Sequence, residues 1–252
     1  MSHWYELADM TSPEFGEALS QIRLALQPIG ATEQHGPNLA MGTDFRSAQA
    51  IARRLAEQVH PRALVLPPLP YGISHHHMDF PGSITLTAES LLALLFDVAK
   101  SVKHHGLTHL LFINGHGGNN AILEVAGNKI RYELGVRTAT MFYFKQASDA
   151  VSERARTDLH GHACEIETSV MLYLVPELVR QDQLAEGDII ESDRRYADKR
   201  SPFSLQEARP FAVQTRNGVL GDARLASQEA GEAIVVTALA RAKDFVDGFL
   251  AS

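Results

Sequence analysis

Residues 109–120 of this chain read HLLFINGHGGNN, and this stretch decides the fold class. Its first part, 109–113, is a continuous run of largely apolar residues, which predicts a strand covered on both of its faces. Three glycines follow within 114–120, and apolar residues then recur at helical spacing over 121–134. A buried strand, a glycine-rich turn and a helix together predict one βα unit of an α/β protein.

The same alternation of strands and helices runs along the rest of the chain. Apolar runs predict strands over 24–29, 63–66 and 136–144, and helical spacing predicts helices over 46–59, 88–102, 165–174 and 225–250. Such alternation predicts a mostly parallel sheet with helices on both faces. Thr87 is a candidate N-cap. Residues 181–210 are polar and irregular, which indicates a long loop or lid.

The composition limits the classes of function. The 252 residues carry a formal net charge of −7, which offers no basic surface for a nucleic acid. No apolar segment approaches the roughly 20 residues that span a bilayer, and residues 1–6 lack the pattern of a signal peptide. The single cysteine, Cys164, excludes an intrachain disulfide. We therefore expect a cytoplasmic protein with a small-molecule substrate and neither nucleic acid nor membrane as a partner.

Ligand-type side chains follow two of the predicted strands, where a parallel sheet places its binding site. Glu33 and His35 follow the first of these strands, with Asp44 a little further on, and His116 follows the strand of the opening segment. Each residue has another interpretation. Glu33 and His35 could form a surface pair, whereas Asp44 and His116 could cap the helices that come after them.

Glu167 is the most informative of the candidate residues. It shares one face of its predicted helix with Val170, Met171 and Leu174. An ionised carboxylate on an apolar face is unfavourable unless a cation compensates it, and no lysine or arginine lies within a turn. A metal ion is therefore its natural partner.

The charge of the candidate ligands matches two divalent cations. The ligands are Glu33, His35, Asp44, His116 and Glu167. Their three carboxylates leave one positive charge on two such cations, and a bridging hydroxide would cancel that charge and act as the nucleophile. A short carboxylate such as that of Asp44 suits the bridging of ions about 3.5–4 Å apart. Zn²⁺, Mn²⁺ and Fe²⁺ all accept such mixed ligands.

Five segments resemble the signatures of the creatininase family, in the same order. They are residues 28–37 (PIGATEQHGP) with Thr43 and Asp44, 80–83 (FPGS), 114–119 (NGHGGN), 162–169 (HACEIETS) and 217–222 (NGVLGD). The resemblance covers nearly the whole chain and implies a single three-layer α/β/α domain over residues 1–252, usually assembled into a hexamer. It assigns Glu33, Asp44 and His116 to one metal, and His35, Asp44 and Glu167 to the other.

The resemblance also implies roles beyond metal binding. His162 is similar to the catalytic histidine of the family, which implies that it moves a proton from the attacking water to the leaving nitrogen. His77 matches a histidine common in the family, and we expect it to contact the substrate together with Gly117 and Asp158. One position departs from creatininase itself, which has glutamate where this chain has Gly118.

Creatinine is expected to be a poor substrate. In creatininase, tryptophans near the metals enclose the small planar ring. This chain has only Trp4, and Asp158 stands where creatininase has a tryptophan. A carboxylate in place of an indole removes a large apolar contact and adds a charge.

These observations predict a dinuclear metal-dependent hydrolase that cleaves a cyclic amide, a formamide or a peptide bond by attack of a metal-bound hydroxide. One alternative is a ring-opening hydrolase of a cyclic ketone or lactone of the sugar or inositol type, and another is a metal-stabilised binding or assembly protein. Cys164, where most family members have glycine, is a poor nucleophile because His160 and His162 are too close in sequence to orient it. The glycine spacing in 114–120 breaks the G-x-G-x-x-G pattern of dinucleotide loops.

Overall fold

The computed structural model describes residues 5–190 and 208–251. In these ranges, five parallel strands form one sheet in the order β1-β3-β2-β4-β5. The strands are β1 (Tyr5–Glu6), β2 (Leu24–Ile29), β3 (Ala63–Val65), β4 (His109–Asn114) and β5 (Arg137–Phe142). The helices are α1 (Ser12–Ala18), α2 (Thr43–Gln58), α3 (Ala88–His104), α4 (Asn120–Leu134), α5 (Tyr143–Gln146), α6 (Ser148–Arg154), α7 (Glu165–Leu174) and α8 (Gln228–Ala251).

The centre of the sheet is the β2–β4 pair, and all residues of both strands are buried. Along β4, Leu111 and Ile113 pack with α2, α7 and α8 on one side of the sheet. Leu110 and Phe112 pack with α1, α3 and α4 on the other side. The continuous apolar run therefore does mark a strand covered on both faces, and the predicted three-layer α/β/α class is confirmed.

Several element boundaries differ from the sequence prediction. Helix α2 begins at Thr43, three residues earlier than the apolar pattern indicated. Strand β5 ends at Phe142, and the chain then turns into α5, because the Tyr143 side chain packs into the core and donates a hydrogen bond to Ser47 Oγ at 3.0 Å. The predicted N-cap Thr87 is confirmed, since its side chain accepts a hydrogen bond from the backbone of α3.

The predicted lid at 181–210 lies only partly within the described residues. Its first part contains a short 3₁₀ turn at Gln181–Gln183, followed by two isolated β-bridges, one between Glu186 and Asp222 and one between Ile189 and Thr215. Residues 191–207 lie outside the described ranges, so the lid stays a prediction. Within those ranges, none of the helices is both long and apolar enough to cross a membrane.

Candidate metal centre

The candidate ligands meet at the point where the chain stops adding strands on one side of β2 and begins to add them on the other side. After β2 the chain adds β3 on one side, and β4 then joins β2 on its other side. The carboxyl ends of β2 and β4 are therefore adjacent, with Ile29 paired to Asn114. The loops that leave these two strands carry Glu33, His35 and His116. Ligands of open α/β sheets bind at such a position.

Two glycines let the start of α2 approach the ends of these strands. A Cβ atom at Gly30 would collide with the backbone of Asp44 and Phe45, and one at Gly115 would collide with the backbone of Asp44. Glycine at both positions thus brings Asp44 against the loops of β2 and β4. The residue preceding α2 is Gly42, and Asp44 lies inside the first turn. The N-cap interpretation of Asp44 is therefore wrong.

The carboxylate of Asp44 faces a different histidine with each of its oxygens. Its Oδ1 lies 3.1 Å from His35 Nε2, and its Oδ2 lies 3.1 Å from His116 Nδ1. The same histidine nitrogens face two further carboxylates, at 3.8 Å for Glu167 Oε2 and 3.2 Å for Glu33 Oε1. Two sets of ligand atoms therefore share Asp44.

Backbone carbonyls set the protonation of both histidines. His35 Nδ1 lies 3.1 Å from the carbonyl of Glu33, and His116 Nε2 lies 3.0 Å from that of Ile73. Because a carbonyl only accepts, these nitrogens carry the ring protons, and in the neutral rings the opposite nitrogens have lone pairs. Those lone pairs point at the carboxylates. A ring anchored in this way is typical of a metal-binding histidine.

A cation fits this arrangement of atoms. Asp44 is 2% exposed, and among the described residues no hydrogen bond reaches its Oδ2. With His116 neutral, two lone pairs face each other across the 3.1 Å between this oxygen and the imidazole. Either a proton or a metal ion has to lie between them. The donor set of carboxylate oxygens and imidazole nitrogens suits Zn²⁺, Mn²⁺ or Fe²⁺.

The pKa values show which side chains of the cluster hold protons. Burial by itself would lower the pKa of His35 and His116, but the carboxylates outweigh it and raise both pKa values well above the ordinary range. Burial would raise the pKa of Asp44, but the two imidazoles outweigh it and lower that pKa. Burial raises the pKa of Glu33. Divalent cations would replace the protons on these imidazoles.

A cavity of about 410 Å³ opens onto the ligands. It is lined by Glu33, Asp44, His116 and Glu167, and by three other predicted residues, His77, Gly117 and His162. The candidate ligand His35 is buried and is not among the lining residues. Asp158 is exposed on the loop between α6 and α7 and is not among the lining residues.

The cavity has further walls that the sequence analysis did not identify. They are His76, Phe142, Phe144, Phe211 and Gln214. His76 stacks on His116 with ring centroids 5.7 Å apart, and Phe211 packs edge-on against His162 at 4.9 Å. The run of three histidines at 75–77 could have indicated that His76 also belongs to the site. No local sequence pattern indicated that Phe211 lines the cavity, because its position depends on how the chain returns to the site after residue 207.

Several other histidines lie close enough to carboxylates to act as ligands. The ligand atoms of Glu33, His77 and His162 lie within 4.8 Å of one another, as do those of Glu33, His76 and His116, and those of His35, His162 and Glu167. Proximity alone therefore does not separate metal ligands from other residues of the site.

Gly118 and Cys164 are two positions at which this chain differs from the family pattern, and the structure shows what surrounds each of them. A Cβ atom at Gly118 would collide with the ring of His116, so glycine leaves space for this ring. The Cys164 thiol is buried, and burial together with Glu167 and Glu165 raises its pKa to about 12. Such a thiol is not ionised at neutral pH, which agrees with the view that it is not a nucleophile.

Comparison with known proteins identifies relatives with hydrolytic activities. Residues 8–246 match the family described as creatininase, creatinine amidohydrolase. The mycofactocin precursor peptide peptidase of Mycobacterium ulcerans is 36% identical over 191 residues, which are 73% of this chain and 70% of that protein. The 3-dehydro-scyllo-inosose hydrolase of Thermotoga maritima is 28% identical over 243 residues, 87% of this chain and 75% of that protein. A solved mutant creatininase of the Zn-Zn type matches with a TM-score of 0.82 and 25% identity, covering 98% of both chains.

Proposed function

The chain belongs to the creatininase family of amidohydrolases, and on that premise we propose that it hydrolyses an amide or peptide bond in a small substrate with two divalent metal ions. The observation that supports this proposal most strongly is the position of Asp44. Its two carboxylate oxygens face His35 and His116, each at 3.1 Å. A carboxylate that faces two ligand sets could bind a cation with each of its oxygens, as a site for two neighbouring ions would allow.

Each of the proposed metals has three protein ligands. Glu33, Asp44 and His116 would hold one ion, and His35, Asp44 and Glu167 would hold the other. Glu33 is also held by the Ser74 hydroxyl, which donates to its Oε2, and Glu167 accepts a hydrogen bond from the backbone of Ala163 at 2.6 Å. These contacts orient both carboxylates before any ion binds.

Bound divalent cations would supply Lewis-acid polarisation of the scissile carbonyl and would lower the pKa of water. In this proposal, His162 moves the proton. Its Nε2 donates to the carbonyl of Gln34 at 2.7 Å, so its Nδ1 is the free nitrogen, 3.9 Å from Glu33 Oε1. Burial, together with His35 and His77, lowers the pKa of His162 well below its ordinary value. The neutral ring accepts a proton from the attacking water and delivers it to the leaving nitrogen.

A peptide or a related linear amide is the substrate class that we favour. The relative in Mycobacterium ulcerans is named a peptide peptidase, and it is more similar to this chain than the inosose hydrolase is. The cavity of about 410 Å³ has room for a substrate larger than a single small ring. The inosose hydrolase favours a second candidate, a ring-opening hydrolase of a cyclic ketone.

A panel of substrates separates these candidates. The protein is loaded with Zn²⁺ or Mn²⁺ and assayed with short peptides, formamides, cyclic amides and cyclic ketones. We expect turnover of an amide substrate that is abolished by a chelator and restored by the metal. Turnover of the cyclic ketone alone would favour the second candidate. A metal-loaded protein without turnover of any of these would favour a binding or assembly role.

We also propose a homo-hexamer from the family resemblance, a cytoplasmic location from the composition, and a lid formed by residues 181–210 from their polar and irregular sequence. Sedimentation of the purified protein tests the hexamer, and cell fractionation tests the location. Limited proteolysis with and without a bound product tests the lid, because closure over the site would protect this segment from cleavage.

A further inference from the structure

Gln34 stands between two proposed metal ligands, Glu33 and His35, but its side chain forms contacts with other groups. It is buried, and it contacts three groups. Its Oε1 accepts a hydrogen bond from the backbone N–H of Gly36 at 2.9 Å. Its Nε2 donates to the carbonyl of Gly218 at 3.2 Å and lies 3.0 Å from His77 Nδ1.

The backbone contacts fix which end of the amide faces His77. If the amide were turned over, its NH₂ group would face the N–H of Gly36, and its oxygen would face the carbonyl of Gly218. Both contacts would then be repulsive. Gly218 has a φ of +79°, and a Cβ there would collide with the amide, so the fit at this position is close. The group that faces His77 is therefore the NH₂ group.

A donor opposite His77 Nδ1 requires that this nitrogen accepts. The proton of the neutral ring then resides on Nε2, which lies 3.4 Å from Glu33 Oε1 at the edge of the cavity. Because Nδ1 accepts from this NH₂ group, it carries no proton of its own, and the ring is neutral. His77 thus presents an N–H to the site.

The other histidines have the opposite arrangement. His35, His116 and His162 each donate to a backbone carbonyl, and in its neutral form each ring presents a lone pair to the site. His77 alone among these four faces an amide NH₂ group instead of a carbonyl. The group behind each ring therefore decides whether the ring offers a lone pair to a cation or a proton to an oxygen.

We propose that Gln34 is a positioning residue that fixes the Nε2–H tautomer of His77, so that His77 donates a hydrogen bond to the carbonyl oxygen of the substrate. The substrate part of this inference rests on the proposed function. His77 is then not a metal ligand, although its ring lies within ligand range of Glu33 and His162. A donor fixed before the substrate binds stabilises the charge that develops on this oxygen.

Neutron diffraction from deuterium-exchanged crystals tests the tautomer directly and needs no turnover. In the wild-type protein we expect deuterium on Nε2 of His77 and none on Nδ1. In Gln34→Glu the carboxylate accepts, and deuterium should move to Nδ1. Deuterium on Nδ1 of the wild-type ring, or a metal bound to Nε2, would overturn the proposal.

A double-mutant cycle tests the consequence for catalysis. His77→Gln keeps an amide NH₂ group near the position of Nε2, and this donor does not depend on Gln34. We expect Gln34→Glu to lower kcat by about 10²–10³ in the wild-type background, the loss typical of one such donor. In the His77→Gln background we expect the same change at Gln34 to lower kcat less than tenfold.

Two controls accompany the cycle. Metal analysis should find the wild-type metal content in each variant, and Gln21→Glu, an exposed change of the same kind outside the site and the proposed lid, should keep wild-type kcat. Equal losses in both backgrounds would mean that Gln34 only holds the loop together, which would refute its positioning role. If the wild-type protein shows no metal-dependent turnover, the proposed function fails, and the neutron result still decides the tautomer.

Discussion

Removal of the metals should make the stability of the protein fall as the pH rises above about 6.5. A chelator removes the cations, and protons are then the remaining positive charges that can neutralise the buried carboxylates of the site. His35 and His116 are the residues that hold those protons, because neighbouring carboxylates raise their pKa values in spite of burial. The unfolded chain lacks these contacts, and its histidines titrate near 6.5.

The direction and the size of the effect follow from linkage. A raised pKa in the folded state contributes stability that is complete below about pH 6.5 and is lost as the pH rises through the folded-state pKa. Each such histidine gives a slope of about 1.4 kcal/mol per pH unit, and two give about 2.7 kcal/mol. His76, His77 and His162 have lowered pKa values, so they change the stability only below about pH 6.5.

Urea unfolding at pH 6, 7 and 8 measures this slope. We expect the free energy of unfolding of the chelated protein to fall with pH by up to about 2.7 kcal/mol per unit, and that of the metal-loaded protein to change much less. Asp44→Asn is the matched variant, because Asp44 contacts both histidines and its removal should flatten the slope. A chelated wild-type protein whose stability is constant or rises over this range would refute the electrostatic account.

Three further predictions concern the site. Glu167→Gln should remove one metal and nearly all activity, because an amide is a weak ligand, and elemental analysis with a kinetic assay checks both. His162→Ala should keep both metals but lower kcat by about 10²–10⁴. If the variant loses metal, His162 is a ligand. If kcat is unchanged, the role of His162 is structural. Creatinine should be turned over with a kcat/KM below about 10⁴ M⁻¹s⁻¹, since no tryptophan is among the described residues that line the cavity to stack on the ring, and a value inside the usual enzyme range would contradict this reasoning.

The sequence could predict the sheet and the positions of the proposed ligands because simple patterns determine both. Buried parallel strands require continuous apolar runs, and the carboxyl ends of such strands place Glu33 and His116 together. Glu167 was recognisable because a carboxylate on an apolar face needs a partner. The structure brings these residues to one cavity.

Other features depend on contacts between distant segments, which local patterns do not contain. Asp44 was ambiguous between cap and ligand, because the start of α2 depends on the close approach of two glycines to its backbone. The place of Phe211 depends on where the chain returns after residue 207. The orientation of His77 depends on Gln34 and Gly218, which are 184 residues apart in the chain. Periodicity within one element cannot reveal such contacts.

The metal content of the fully loaded protein tests the central claim most directly. Elemental analysis should give two divalent ions per chain, and anomalous diffraction should place one on each side of the Asp44 carboxylate, beside His35 and beside His116. A single ion, or none, in fully loaded protein would contradict the two-metal account.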